Sequence, residues 1–178
     1  MFSCILFLTA SATAVDQDIS RPVVALKPNL QQAIASVNIV QMLSKNHYRK
    51  VNLGHESSEK VFERYLSRLD PNHSFFIQQD IDSFFPLRTE LNNALKSGDL
   101  KPAFHIFNVY RKRGEERGRY MLDQLKAGLG GINFKVSEEL LVNRKDEPWL
   151  KNKNEQHELW RKQLKDNVLS LRLNNKTD

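Results

Sequence analysis

Asp70, Asp80 and Asp82 crowd one short stretch of this chain. Paired carboxylates of this kind are what glycoside hydrolysis or divalent-metal chemistry uses. Their context points to a structural role instead. Asp70 stands before Pro71, and Asp80 opens a helical stretch, places where carboxylates act as caps. A calcium-binding helix–loop–helix would need Gly at its sixth position and Glu at its twelfth, and neither is present. The five histidines are His47, His55, His73, His105 and His157. They form no H-E-x-x-H or H-x-x-H pair, and His55-Glu56 lacks its second histidine. No serine sits in a G-x-S-x-G elbow, Ser97 precedes a helix-ending Gly98, and Ser170 lies between two leucines in a helical stretch. The residues therefore nominate no catalytic, cofactor-binding or metal-ligating position.

Two further motifs are tested the same way. Gly128-Leu129-Gly130-Gly131 lacks the Lys-Ser/Thr of a phosphate loop and reads as a turn. Arg111, Lys112, Arg113, Arg117 and Arg119 form a basic stretch. At 100° per residue these side chains spread around a helix. Arg111 with Glu115 and Lys112 with Glu116 are expected to pair at i,i+4, and no aromatic residues interleave them. A solvated helix face is expected, and no nucleic-acid partner.

These residues must be positioned by a chain of 178 residues, with 27 Lys+Arg against 21 Asp+Glu, a formal charge of +6. The length suits one domain with a sizeable core. The single cysteine, Cys4, excludes an internal disulfide. Excess positive charge suits anionic envelope surfaces. Residues 1–14, MFSCILFLTASATA, combine a short apolar block with the small residues Ala12-Thr13-Ala14. They read as a signal peptide cleaved after Ala14, which implies export, no cysteine in the mature chain and no membrane span after cleavage. A lipid anchor at Cys4 is not expected.

Residues 15–28 read as an extended leader and 29–178 as one helical domain. The spacing of Leu30, Ile34, Val37, Val40 and Leu43 predicts a helix over 29–47, capped by Asn29. Ser57 or Ser58 can cap a second helix carrying Val61, Phe62, Tyr65, Leu66 and Leu69, which Pro71 stops at Asp70. Phe75, Phe76 and Ile77 read as a buried connector. Asp80 opens a helix with Ile81, Phe84 and Phe85 that Pro86 breaks or kinks, and Gly98 closes the next one. Asp99 and Pro102 start a long helix over 101–126, whose expected apolar face is Phe104, Phe107, Tyr110, Met121 and Leu125. Asn152 and Glu155 make an Asx capping box for a last helix bearing Leu159, Trp160, Leu164, Val168 and Leu171. The fold class is mainly α, a multi-helix domain with at most one short β-hairpin near 132–143.

The run Val61-Phe62-Glu63-Arg64-Tyr65-Leu66-Ser67-Arg68-Leu69-Asp70-Pro71-Asn72, then Phe75-Phe76 and Asp80-Ile81-Asp82, resembles the N-terminal helical domain of the tail-specific (carboxy-terminal processing) proteases. So do Gly98-Asp99-Leu100-Lys101-Pro102-Ala103-Phe104, Ile106-Phe107-Asn108, Arg144-Lys145-Asp146-Glu147-Pro148-Trp149 and Glu158-Leu159-Trp160-Arg161-Lys162. The resemblance covers about residues 30–173. It implies a periplasmic location. It also implies a parent serine endopeptidase that degrades proteins from exposed apolar C-termini, through a Ser-Lys pair and a PDZ domain. Both lie beyond this domain, so no family catalytic residue is carried over. The implied role is a scaffold and docking domain, a fragment inactive alone. Its partners would be the downstream PDZ and protease domains of the same enzyme, protein substrates through that enzyme, and an adaptor lipoprotein of helical repeats. No cofactor is implied. The alternative is a free-standing periplasmic binding or regulatory module that docks the adaptor or an intact paralogue. Phe75, Phe76, Phe84 and Phe85 are expected in the core rather than in a peptide groove.

Overall fold

The computed structural model describes residues 24–46 and 55–174. The signal-peptide reading of 1–14, most of the leader and His47 lie outside the described residues. The elements are α1 (Leu30–Asn46), α2 (His55–Leu69), α3 (Gln78–Phe84), a 3-10 turn (Phe85–Arg88), α4 (Leu91–Ser97), α5 (Lys101–Lys126) and α6 (Lys153–Asn174). The fold is mainly α. Among the described residues no strand forms. The segment 132–143 is irregular, and the lone β-type pairing is a parallel bridge between Ile77 and Leu150. The alternation of Ile132, Phe134 and Val136 finds no partner edge; charged side chains of α6 hold this segment instead.

Local sequence sets most helix ends. Asn29 Oδ1 accepts from the Gln32 N–H, and the Gln32 side chain accepts from the Asn29 N–H, each at 2.9 Å, a reciprocal capping box. Asn152 Oδ1 accepts from the N–H groups of Asn154 and Glu155, while the Glu155 carboxylate reaches back to the Lys151 N–H. Gly98 ends α4 in the left-handed region at φ 74°, where an L side chain is strained. Pro86 ends α3 by tightening the next turn into 3-10 geometry.

Ser57 and Ser58 do not cap α2; both lie inside it. Ser58 is buried and its hydroxyl accepts the Asn92 N–H, while Ser57 accepts from Asn92 Nδ2 at 2.7 Å. Their hydrogen bonds go to α4, because a neighbouring helix start competes successfully for them.

The core centres on Phe62 and Leu66 of α2, Phe76, Phe84 of α3, Leu91 of α4 and Ile106 of α5. Phe76 meets Phe84 edge-on with centroids 5.4 Å apart. A second cluster joins Ile77, Leu150 and Leu159. On α5 Ile106 and Arg113 are buried and Ala103, Val109 and Tyr110 pack on the core, so Tyr110 of the expected face holds its place while Phe104, Phe107, Met121 and Leu125 do not join that core. Phe104, Phe107 and Met121 are half-buried and Leu125 is exposed. The slimmer Ala103/Ile106 side lets α5 approach Phe76 and Phe84, and Arg113 continues that seam because Asp80 waits for it. Phe85 is also corrected: it points outward, 64% exposed, as the 3-10 turn rotates it away from Phe84.

Candidate functional site

The connector between α2 and α3, Ser74 to Ile77, has its backbone groups held by side chains from several elements. Asp70, fully buried where α2 stops, accepts the N–H groups of Ser74, Phe75 and Phe76 at 2.8, 2.8 and 2.9 Å. Asp80 Oδ2 accepts the Ile77 N–H at 3.0 Å. The connector carbonyls turn to α6: Trp160 Nε1 donates to Ser74 O at 2.9 Å and Gln156 Nε2 to Phe75 O at 2.5 Å. The Gln78 N–H donates to Leu150 O at 2.7 Å. A buried irregular backbone is tolerated only when its polar groups are paired in this way. The end of α2, the start of α3, Leu150 and α6 thus meet on it.

Charge locks the same junction. Arg113 donates to both Asp80 oxygens and, from Nη1, to Glu116. Glu116 also receives Lys153 of α6 at 3.4 Å. The hydrogen bonds that Arg113 donates to Asp80 raise its guanidinium above its ordinary value, outweighing burial. Burial pushes Glu116 up, but the hydrogen bond and charge of Arg113, with Lys153, bring its carboxyl to a net lowered value. Arg117 lies over the Phe75 ring at 5.0 Å, and burial lowers it. Segment 136–139 is strapped to α6 by Glu138 with Arg161 and Lys165, and by Lys165 Nζ on Val136 O at 2.7 Å.

The sequence-nominated residues divide cleanly. Asp70 and Asp80 serve backbone and Arg113, while Asp82 is exposed and accepts from Gln78 Nε2. Asp70 acts as a turn staple rather than a helix cap. His73 stacks on Trp149 with centroids 3.6 Å apart and bonds Glu147 O through Nδ1. His105 is exposed with its ring edge-on to Phe84, and His157 stacks on Tyr120. Among the described residues no group of three or more His, Cys, Asp or Glu could hold a metal ion. Ser57-Ser58-Glu59-Lys60 carries an S-x-x-K spacing on α2, but Ser57 is the acceptor for Asn92 that ties α2 to α4. The basic stretch is not one solvated face: Arg113 is buried, Arg111 Nη1 donates to Val24 O, and Glu115 pairs with Arg119 rather than Arg111.

Two surface features bear on contact with other proteins. An apolar hollow of about 340 Å³ lies between Phe62, Leu66, Ile81, Phe85, His73 and Trp149. Helix α1 packs one side on α4 and leaves Leu30, Ile34, Ile39 and Met42 more than half exposed. At 100° per residue Leu30 and Ile34 share one side of α1 while Met42 and Ile39 turn toward the opposite one, so the exposed apolar residues spread over half the helix. Among the described residues no helix is long and apolar enough to cross a membrane.

Residues 39–178 match the family model of the tail-specific protease N-terminal domain. The chain is also similar to a tail-specific protease of Haemophilus influenzae (strain ATCC 51907 / DSM 11121 / KW20 / Rd), with 32% identity over 167 residues. The match covers 92% of this chain and 23% of that relative, so the chain spans about a quarter of the relative's length.

Proposed function

This chain belongs to the tail-specific protease family through its N-terminal domain, and from that we propose that it is a scaffold and docking domain that cleaves no peptide bond by itself. The observation that carries this reading is the use of the connector Ser74 to Ile77. Its polar groups, with Asp70, Asp80, Trp160 and Gln156, hold helices in register. Chemistry would come from the Ser-Lys and PDZ segments of a parent enzyme, and the match spans 23% of the relative. The exposed α1 face and the hollow beside Phe85 would serve contacts with those domains or with an adaptor lipoprotein.

We also propose export to the periplasm with loss of residues 1–14, on the strength of the Ala12-Thr13-Ala14 pattern. The deciding experiment incubates the purified chain with an unfolded protein bearing an apolar C-terminal tail. No cleavage is expected, whereas tail-directed cleavage that persists through repurification would overturn the scaffold reading. Intact mass of the chain from a periplasmic extract tests export: a start at Val15 supports it, and a retained Met1 in the cytoplasmic fraction rejects it.

A further inference from the structure

Two side chains of α5 hold residues 24–26, and they hold them by the backbone. Asn108 Oδ1 accepts the Leu26 N–H, and Asn108 Nδ2 donates to Leu26 O, both at 2.9 Å. One side-chain amide thus pairs with both polar groups of one residue, as a neighbouring strand would. Arg111, one turn along the same face of the helix, donates from Nη1 to Val24 O at 2.9 Å. Asn108 and Arg111 stand about 4.5 Å apart along the axis, and alternate residues of an extended chain recur about every 6.8 Å. The longer arginine side chain spans that difference.

This clamp ignores side chains. Val24 and Leu26 stay 78% and 44% exposed, and neither belongs to an apolar cluster of the domain. What α5 reads is one N–H and two carbonyls, groups that every residue except proline carries. Beside the clamp, a hollow of about 410 Å³ runs from Ala25 along His105, Lys112, Glu115 and Arg119. Clefts that take small ligands begin at about 300 Å³.

We propose that the Asn108–Arg111 face of α5 is a docking site for an extended polypeptide segment of another protein, recognised through its backbone, and that residues 24–26 occupy it in cis as a built-in competitor. This rests on the docking role proposed above and gives that role a site. The occupant already seated is what specifies a polypeptide: an extended segment, held through main-chain groups, with its side chains free. An incoming segment must offer an N–H and a carbonyl to Asn108, and a second carbonyl two residues earlier to Arg111. It can carry any outward side chains, but proline opposite Asn108 is excluded. The leader is tethered, so it competes at an effective concentration of roughly millimolar. Its hold consists of exposed hydrogen bonds, which exchange with water at little net cost, so a second chain can replace it.

The test measures fluorescence anisotropy of a labelled peptide, Val-Val-Ala-Leu-Lys-Pro, the sequence of residues 23–28, against the full chain. Leu26→Pro in the chain removes the N–H that Asn108 reads and frees the site, and Leu26 lies outside both apolar clusters, so the domain keeps its fold. The peptide should bind the Leu26→Pro chain about tenfold more tightly than the unsubstituted chain, because the tethered competitor is gone. Adding Asn108→Ala should abolish that binding. A peptide with proline in place of its leucine should not bind, whereas one with Thr and Gln in place of its second valine and its leucine should bind as well as the original. Equal affinity for the unsubstituted and Leu26→Pro chains, binding that survives Asn108→Ala, or no binding to the Leu26→Pro chain at millimolar peptide would each overturn the docking site. Such a failure leaves the scaffold reading standing, since that reading rests on the absence of cleavage.

Discussion

Arg113 of α5 clasps Asp80 of α3 through two parallel hydrogen bonds, Nε to one carboxylate oxygen and Nη2 to the other, each 2.8 Å, with the two side chains 9% and 10% exposed. The same Asp80 oxygen that meets Nε also accepts the Ile77 N–H. One carboxylate therefore starts α3, ends the connector and anchors α5. Removing one member of a buried pair leaves an uncompensated charge. Asp80→Ala should lower stability by about 3–5 kcal/mol. Asp80→Leu combined with Arg113→Met should cost less than Asp80→Ala alone. Urea unfolding checks both; a loss for Asp80→Ala no greater than that of an exposed substitution would mean that the pair is not part of the anchor.

Trp160 and Asp70 grip the connector from opposite sides. Trp160→Phe removes the donor to Ser74 O, leaving a buried carbonyl unpaired at about 1–3 kcal/mol, and the smaller phenyl ring adds a cavity cost where the indole stood. Asp70→Asn exchanges an acceptor oxygen for a donor that faces backbone N–H groups, with a loss of similar size. In both variants the amides of Ser74, Phe75 and Phe76 should exchange faster than those in the middle of α2. Uniform acceleration across all helices would show that the connector does not open as a local unit.

Gly98 and Gly128 both have left-handed backbones, at φ 74° and 64°. A Cβ on Gly98 would sit 3.0 Å from Ala33 O and 3.2 Å from Val37 Cγ2 of α1, whereas one on Gly128 meets nothing within 4 Å. Gly128→Ala should cost only the left-handed strain, about 1–2 kcal/mol. Gly98→Ala should cost more, because α1 must also shift away from α4. Thermal unfolding of the two variants side by side decides this, and equal losses would count against a close α1–α4 contact at Gly98.

Glu138 gives the pH dependence of the 136–139 strap. Hydrogen bonds from Arg161 and then Lys165 hold its carboxyl down at about 2, below the ordinary 4.5. A depressed carboxyl stabilises the folded state fully above the unfolded value, and that contribution disappears as pH falls toward the folded one. The strap should therefore hold above pH 4.5 and loosen progressively toward pH 2. NMR titration of the Glu138 side chain should show the low midpoint, and Glu138→Gln should remove the pH response of the Val136 and Glu138 amides in that window. A midpoint near 4.5 would show that the strap contacts are not maintained in solution.

Sequence alone determined the helices and most of their ends, because those depend on neighbours within four residues. Asn29 with Gln32, Asn152 with Glu155, the halt of α2 before Pro71 and the left-handed Gly98 are all local chemistry. The mainly α class and the family were legible for the same reason, since the family blocks lie in order along the chain. Tertiary structure alone decided which partners the polar residues take. Of the α5 face read from the sequence, Tyr110 packs on the core but Phe104, Phe107, Met121 and Leu125 do not, because Phe76 and Phe84 from other elements chose the side that Ile106 presents. Arg113 read as one member of a basic stretch until the fold brought Asp80, 33 residues away, beside it. The alternation in 132–136 suggested strand pairing, but a strand needs an edge to pair with, and the chain offers α6 side chains there instead. The Asn108 clamp on Leu26 spans 82 residues and has no local signature, since it reads backbone groups that every sequence shares.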